Sequence, residues 1–92
     1  MARLENDEIE AKLGELEGWS RDGEAIVKEF GNDDFKGSVE FVNRLTPVAE
    51  EMNHHPDLEI SWATTKVTIT THSEGGLTAG DFELARRIDA LG

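Results

Sequence analysis

The sequence predicts an α+β fold of order α-β-β-α-β-β-α, a four-stranded antiparallel sheet with three helices packed on one face. Three observations carry this prediction. Apolar residues recur at helical spacing in three separated stretches. Between those stretches the period falls to two. Each period-two segment holds a turn signal near its middle, so the strands come as hairpins, which favours antiparallel pairing over βαβ winding. With 92 residues there is chain for one core, and no repeat, linker or low-complexity segment divides it, so residues 1–92 read as a single domain.

Each element has its own signal. Asn6 or Asp7 can cap a first helix, on which Ile9, Leu13 and Leu16 form a stripe, and Gly18 stands where a C-terminal glycine belongs. WSRDGEAIVKEF reads as a hairpin, with Asp22-Gly23 in a type I′ turn and Ala25 to Phe30 as a short strand. A longer helix starts near Asp33 or Asp34 and places Phe35, Val39, Val42, Leu45, Ala49 and Met52 on one face. Pro47 falls inside it. An interior proline loses a backbone bond and costs about 3 kcal/mol, so a kink or two helical pieces is expected.

After Pro56, Leu58, Ile60 and Trp62 alternate, then Val67 and Ile69, with Ala63 to Lys66 as the intervening turn. Thr78-Ala79-Gly80-Asp81 resembles a capping box with Asp in place of Glu, opening a last helix faced by Phe82, Ala85, Ile88 and Leu91. Helices on one face leave the other face or an edge for a partner, and the Ala25 to Phe30 strand or its neighbour is the expected unprotected edge.

Composition excludes several classes. Nine Lys and Arg against twenty Asp and Glu give a net charge of -11, which speaks against nucleic acid as a partner. The acid is dispersed, and reads as a solvated surface suited to high salt, where screening quiets self-repulsion. The absence of Cys excludes a disulfide scaffold, a Cys-based zinc finger and a thiol nucleophile. No apolar run is long enough to span a bilayer, and MARLENDEIE lacks the pattern of a secretory signal, so a cytoplasmic protein without a membrane partner is expected.

The chemistry-bearing residues are His54, His55 and His72. Glu50 stands four before His54, where a carboxylate can orient the imidazole, although a plain surface pair has the same spacing. Pro56 pushes His55 out of helical conformation, so both rings could face one cavity where the helix stops, or simply decorate its C-terminus. His72 ends the fourth strand; if that strand is regular to its end, the ring points away from the Val67/Ile69 face and could meet a pocket at the end of the second helix, and otherwise it is a loop histidine. Asp81 is first a cap, yet its second oxygen is free to accept from an imidazole. Trp19 and Trp62 are core or edge residues, or an indole to stack on a flat heterocycle. Three His with water could bind zinc, but the spacing matches no zinc signature. No nucleophile elbow or phosphate loop is present.

Taken together, EEMNHHPDLEISWATTKVTITTHSEGGLTAGD resembles the signature of the pterin-4a-carbinolamine dehydratases: Glu50 ahead of His54-His55-Pro56, the aromatic Trp62, Thr71-His72, and Gly76-Leu77-Thr78 before Asp81. Leu16 to Trp19 and the Phe30 to Phe41 region add to it, so the resemblance covers nearly the whole chain. The resemblance implies the α+β fold already derived and an enzyme that removes water from 4a-hydroxytetrahydrobiopterin, giving the quinonoid dihydropterin, in tetrahydrobiopterin recycling after aromatic amino acid hydroxylation. It implies His54, His55 and His72 as catalytic, Glu50 and Asp81 as supporting carboxylates, and Trp62 and Thr71 as substrate contacts. It implies no cofactor and no metal, because no electrons move. It also implies a homodimer or homotetramer; an animal member serves as a dimerisation cofactor for a homeobox transcription factor. A non-catalytic dimerisation or pterin-binding module is the rival reading. Pro47 in the long helix and Trp rather than Tyr at 62 depart from the family pattern.

Overall fold

The structure, a computed structural model, describes residues 2–91. Its elements are α1 (Asn6–Leu13), β1 (Ser20–Asp22), β2 (Ala25–Gly31), α2 (Phe35–Met52), β3 (Asp57–Ile60), β4 (Thr64–Ile69) and α3 (Ala79–Asp89), with a single 3-10 turn at His72–Glu74. The predicted α-β-β-α-β-β-α order holds. The sheet is antiparallel throughout, in the order β1-β2-β4-β3.

Along β4, Thr65, Val67 and Ile69 are buried while Thr64, Lys66 and Thr68 are less so. The partners of those buried positions are Phe30, Lys28 and Ile26 on β2 and Ile60 and Leu58 on β3, so one parity of the sheet faces the helices. Ile26, Val67 and Ile69 meet Ile9 of α1, Phe41, Leu45 and Ala49 of α2, and Phe82, Leu84, Ala85 and Ile88 of α3 in one core. The opposite face is polar, with Glu29, Lys66 and Glu59 side by side across three strands.

Several boundaries differ from the sequence reading. Glu5, not Asn6 or Asp7, caps α1: its backbone N–H donates to the Glu8 carboxylate at 2.9 Å, while Asn6 is engaged by Arg21. The helix stops at Leu13; Gly18, at φ +81°, belongs to the following turn, from which Leu16 still reaches the core. Asp22 pairs with Ala25, so the hairpin turn is Gly23-Glu24. Only Gly23 has positive φ, the pattern of a type II′ rather than a type I′ turn.

α2 is one continuous helix despite Pro47. The bond that Pro47 cannot make is to the Asn43 carbonyl, and both residues are exposed, so water can take the place of the missing donor. The helix buries Ser38, Phe41, Leu45 and Ala49, and leaves Phe35 and Val39 at 54% and 36% exposure. The core face keeps Leu45, Ala49 and Met52 of the predicted stripe but is rotated toward Ser38 and Phe41. Ser38, a polar residue, holds a core position because its hydroxyl is bonded to Asn32 and to the Trp62 carbonyl. Phe41 packs against Phe30 with ring centroids 4.8 Å apart.

The β3–β4 turn is tighter and earlier than Ala63 to Lys66: Ser61 N–H donates to the Thr64 carbonyl at 2.8 Å, and β4 begins at Thr64. The Thr-Thr-Lys run looks like loop, but Thr65 takes the core parity of Val67 and Ile69. Of the two strands offered as an edge, Ala25 to Phe30 or its neighbour, the neighbour is one. β2 is interior, and the edges are its neighbour β1 and β3. Among the described residues no helix is long and apolar enough to cross a membrane.

Candidate active site

Three chain segments converge at one end of the sheet. The first is the C-terminus of α2. Asn53 takes a left-handed conformation (φ 50°, ψ 44°), its N–H donates to the Glu50 carbonyl, and the N–H of His54 donates to the Ala49 carbonyl at 3.0 Å. This is the Schellman arrangement, which satisfies the last carbonyls and turns the chain sharply. His54 and His55 are therefore both outside the helix, in extended chain that Pro56 leads into β3. The second segment follows β4, which ends at Ile69 and not, as the sequence suggests, at His72: Thr71 bridges to Gly76, and His72 opens the 3-10 turn. The third is the N-terminus of α3, closed by the Thr78/Asp81 capping box that the sequence predicts.

Asp81 joins all three. It is fully buried, and its carboxylate accepts from three donors: His54 Nε2 on Oδ1 at 2.6 Å, and Thr71 Oγ1 and Thr78 N–H on Oδ2 at 2.8 and 2.7 Å. Thr71 spends its hydroxyl hydrogen on Asp81, so the Thr78 hydroxyl, 3.0 Å away, donates to Thr71. A buried carboxylate is stable only when its lone pairs are met in this way. With Nε2 donating to Asp81, neutral His54 carries its free lone pair on Nδ1.

His55 has a partner of its own, Glu50, with Nε2 and Oε2 2.5 Å apart on the exposed side. This changes the expected pairing. The (i, i+4) spacing suggests Glu50 with His54, but the helix ends before His54, and the turn at Asn53 swings His54 to Asp81 and His55 back over Glu50. His72 is exposed, and its ring has no hydrogen-bond partner among the described residues. Asn53, His54, His55, Thr70, Thr71 and His72 line one open cavity of about 260 Å³.

The structure thus brings together His54, His55, His72 and Thr71, with Asp81 and Glu50 behind two of the rings. Trp62 lies outside this cavity. β3 carries the chain from the histidines to the far end of the hairpin, and Trp62 stands there at 70% exposure. The sequence reading passed over Asn53 and Thr78 as site residues. Asn directly before the histidines was the available signal for the first, since Asn is the usual second choice after Gly in a left-handed cap. Among the described residues no group of three or more acidic or imidazole side chains is arranged to hold a metal ion.

Comparison with known proteins places this geometry. A relative from Sulfolobus acidocaldarius is 45% identical over 97% of this chain and 98% of its own, and one from Thermosynechococcus vestitus is 47% identical over 97% and 94%. Both are provisionally named pterin-4-alpha-carbinolamine dehydratase. The crystal structure of a transcriptional coactivator/pterin dehydratase from Brucella melitensis superposes with a TM-score of 0.92 at 34% identity, covering 97% of each chain. A pterin dehydratase-like RuBisCO assembly factor of the alpha-carboxysome shares the fold, with a TM-score of 0.68 at 22% identity over 80% of this chain and 88% of its own. The family profile for pterin 4 alpha carbinolamine dehydratase matches residues 2–91, and the chain belongs to that family.

Proposed function

We propose that the protein dehydrates a 4a-hydroxytetrahydropterin to the quinonoid dihydropterin, using its histidines as acid and base, in the recycling of tetrahydrobiopterin in the cytoplasm. The observation that carries this reading is the gathering of His54, His55 and His72 in one open cavity, two rings held by carboxylates and one without a hydrogen-bond partner among the described residues. The reaction needs a proton removed from N5 and a proton supplied to the hydroxyl on C4a. The N5–H electron pair becomes the C4a=N5 bond, the C4a–O bond breaks, and water leaves. Proton transfers of this kind are what positioned imidazoles do well near neutral pH.

In this reading His54 and His72 exchange the two protons. Asp81 fixes the His54 tautomer so that Nδ1 faces the work, and Thr71 and Thr78 fix Asp81. His55, steadied by Glu50, binds the ring or assists. No electrons move, so the step calls for no redox cofactor. Trp62, far from the cavity, falls to assembly instead. Ile60 and Trp62 at the β3 edge and its turn, with Phe35 and Val39 on α2, are the large exposed apolar side chains, and covering them in a homodimer or homotetramer would remove them from water.

The test is the dehydration rate of freshly generated 4a-hydroxytetrahydrobiopterin with and without the protein, in the presence of a chelator. Acceleration that survives chelation is expected. A rate no faster than the uncatalysed one would favour a non-catalytic module of the same fold. Loss on chelation, restored by zinc, would overturn the acid–base mechanism.

A further inference from the structure

Carboxylates hold the rings of His54 and His55, but the ring of His72 has no hydrogen-bond partner among the described residues. Its placement therefore depends on the backbone that carries it, which is a small closed loop. Thr71 and Gly76 pair across the base of this loop, with N···O distances of 3.3 and 3.4 Å. Both bonds are longer than the usual amide–carbonyl bond, so the loop gains from support outside itself. Two segments distant in sequence supply it. The Leu4 N–H donates to the Leu77 carbonyl at 2.8 Å, which ties the N-terminal segment to the residue after the loop base. The β1–β2 turn is fastened to the residue before the base, where Thr70 Oγ1 donates to the Glu24 carbonyl. From these two segments Arg3 and Glu24 meet over Gly76, with Nη2 3.3 Å from Oε2. A Cβ at 76 would stand 2.6 Å from Glu24 Oε2, 2.9 Å from Arg3 Nε and 3.1 Å from Arg3 Cδ, so the ion pair fills the space of a side chain. Gly76 has no positive φ, so its bare Cα serves this close approach rather than backbone freedom.

We infer that the Arg3–Glu24 pair is a clamp that positions His72: it holds the loop at Gly76 and so sets where the imidazole stands in the histidine cavity. Glu24, Gly75, Gly76 and His72 line one further cavity of about 290 Å³, which makes the pair and the ring close neighbours. Neither Arg3 nor Glu24 lines the histidine cavity, so both are positioning residues. Arg21, 3.4 Å from Glu24 Oε1 and bonded to the Gly23 carbonyl and to Asn6, steadies the carboxylate from behind. The inference rests on the dehydratase reading, in which His72 exchanges a proton with the substrate. Such a transfer needs its two atoms within hydrogen-bond reach, and a displacement of about 1 Å is enough to slow it. The other walls of the cavity still bind, so loosening the clamp acts on kcat rather than on KM. Both partners are exposed, and an exposed pair adds little to global stability.

The test has two arms. The first reads the loop alone: in Arg3→Ala, amide hydrogen exchange at Thr71 and Gly76 should quicken several-fold, while the His54 amide, bonded to the Ala49 carbonyl, keeps its rate. The second reads catalysis. Arg3→Ala should lower kcat by about fivefold, the scale of an exposed ion pair, with KM and melting temperature unchanged. The same substitution made in His72→Ala should lower kcat no further, because the residue through which the clamp acts is gone. A merely structural role would lower kcat in both backgrounds. Glu24→Gln, which keeps the size and removes the charge, should repeat the pattern from the other partner. Unchanged exchange at the loop, an unchanged kcat, or an equal loss of kcat with and without His72 overturns the clamp and leaves the dehydratase reading standing. Absence of turnover by the wild-type protein overturns the dehydratase reading instead, and the exchange rates then decide by themselves whether the pair holds the loop.

Discussion

At the scale of single residues, the site separates its histidines by what holds them. His54 is tied to a buried carboxylate, His55 to an exposed one, and His72 to nothing among the described residues. None of the three is a core residue. His72→Ala is therefore expected to keep the wild-type melting temperature within a few degrees, and His54→Ala to lower it by several, because the buried Asp81 carboxylate loses a donor; both are expected to lose on the order of 10²-fold in dehydration rate, the usual scale of a general acid or base. Near-normal turnover in either variant would remove that residue from the mechanism. Thr65 makes the opposite case. Its hydroxyl oxygen is fully buried and has no hydrogen-bond partner among the described residues. Removing an unmet polar group of this kind is expected to stabilise by about 1–2 kcal/mol. Thr65→Val should raise the melting temperature by several degrees with activity unchanged; a lower value would show that the hydroxyl is satisfied after all.

At the scale of elements, the decisive feature is the end of α2. A left-handed residue there costs a non-glycine side chain about 1 kcal/mol, and Asn is the side chain that bears it best. Asn53→Gly is expected to hold or raise stability, and Asn53→Ala to lose about 1 kcal/mol, as measured by denaturant unfolding at unchanged m-value. Equal stability of the two variants would mean that the turn is not set by this cap.

The same element shows what was legible in the sequence. Periodicity located the three α-helices, β2, β3 and the second half of β4, the Asp-Gly turn signal located β1, and the capping box located the start of α3, because these signals are local. The face of α2 was not legible, since Ser38 is buried through bonds to Asn32 and Trp62 that no local pattern reveals. The carboxylate–histidine pairing was misread for a related reason. Spacing along a helix assigns Glu50 to His54 only if the helix continues, and Asn53 ends it. Pro56 pointed to His54 and His55 sharing a cavity, whereas strand parity could not place His72, because β4 stops at Ile69 and His72 stands in a 3-10 turn. The distance of Trp62 from them was not foreseen, because four residues of β3 separate the two ends of the hairpin.

At the scale of the whole molecule, charge and assembly oppose each other. Each copy carries -11, and any homo-oligomer brings like charges together. Salt shortens the reach of that repulsion to roughly 8 Å at physiological ionic strength and strengthens apolar contact further at higher concentration. The expected outcome in light scattering is a homodimer or larger species whose share rises with salt. A monomer of 10.2 kDa at every salt concentration would refute self-association without touching the catalytic proposal. The edges available for it are short, three residues at β1 and four at β3, so side-chain contacts rather than a long backbone ladder must supply most of the affinity.

One carboxylate, that of Asp81, caps α3 through Oδ2 and holds His54 through Oδ1. Its three donors come from chain segments up to 27 residues away, so no partial product of folding can present the finished His54. During refolding, the strands can pair while the last helix is still loose. Catalytic recovery then follows the docking of α3 and lags behind the sheet signal whenever the two are resolved in time. Amide hydrogen-exchange labelling of β2 and β4 during refolding, run beside an activity assay on aliquots, would show that order, and catalytic power returning first would contradict it.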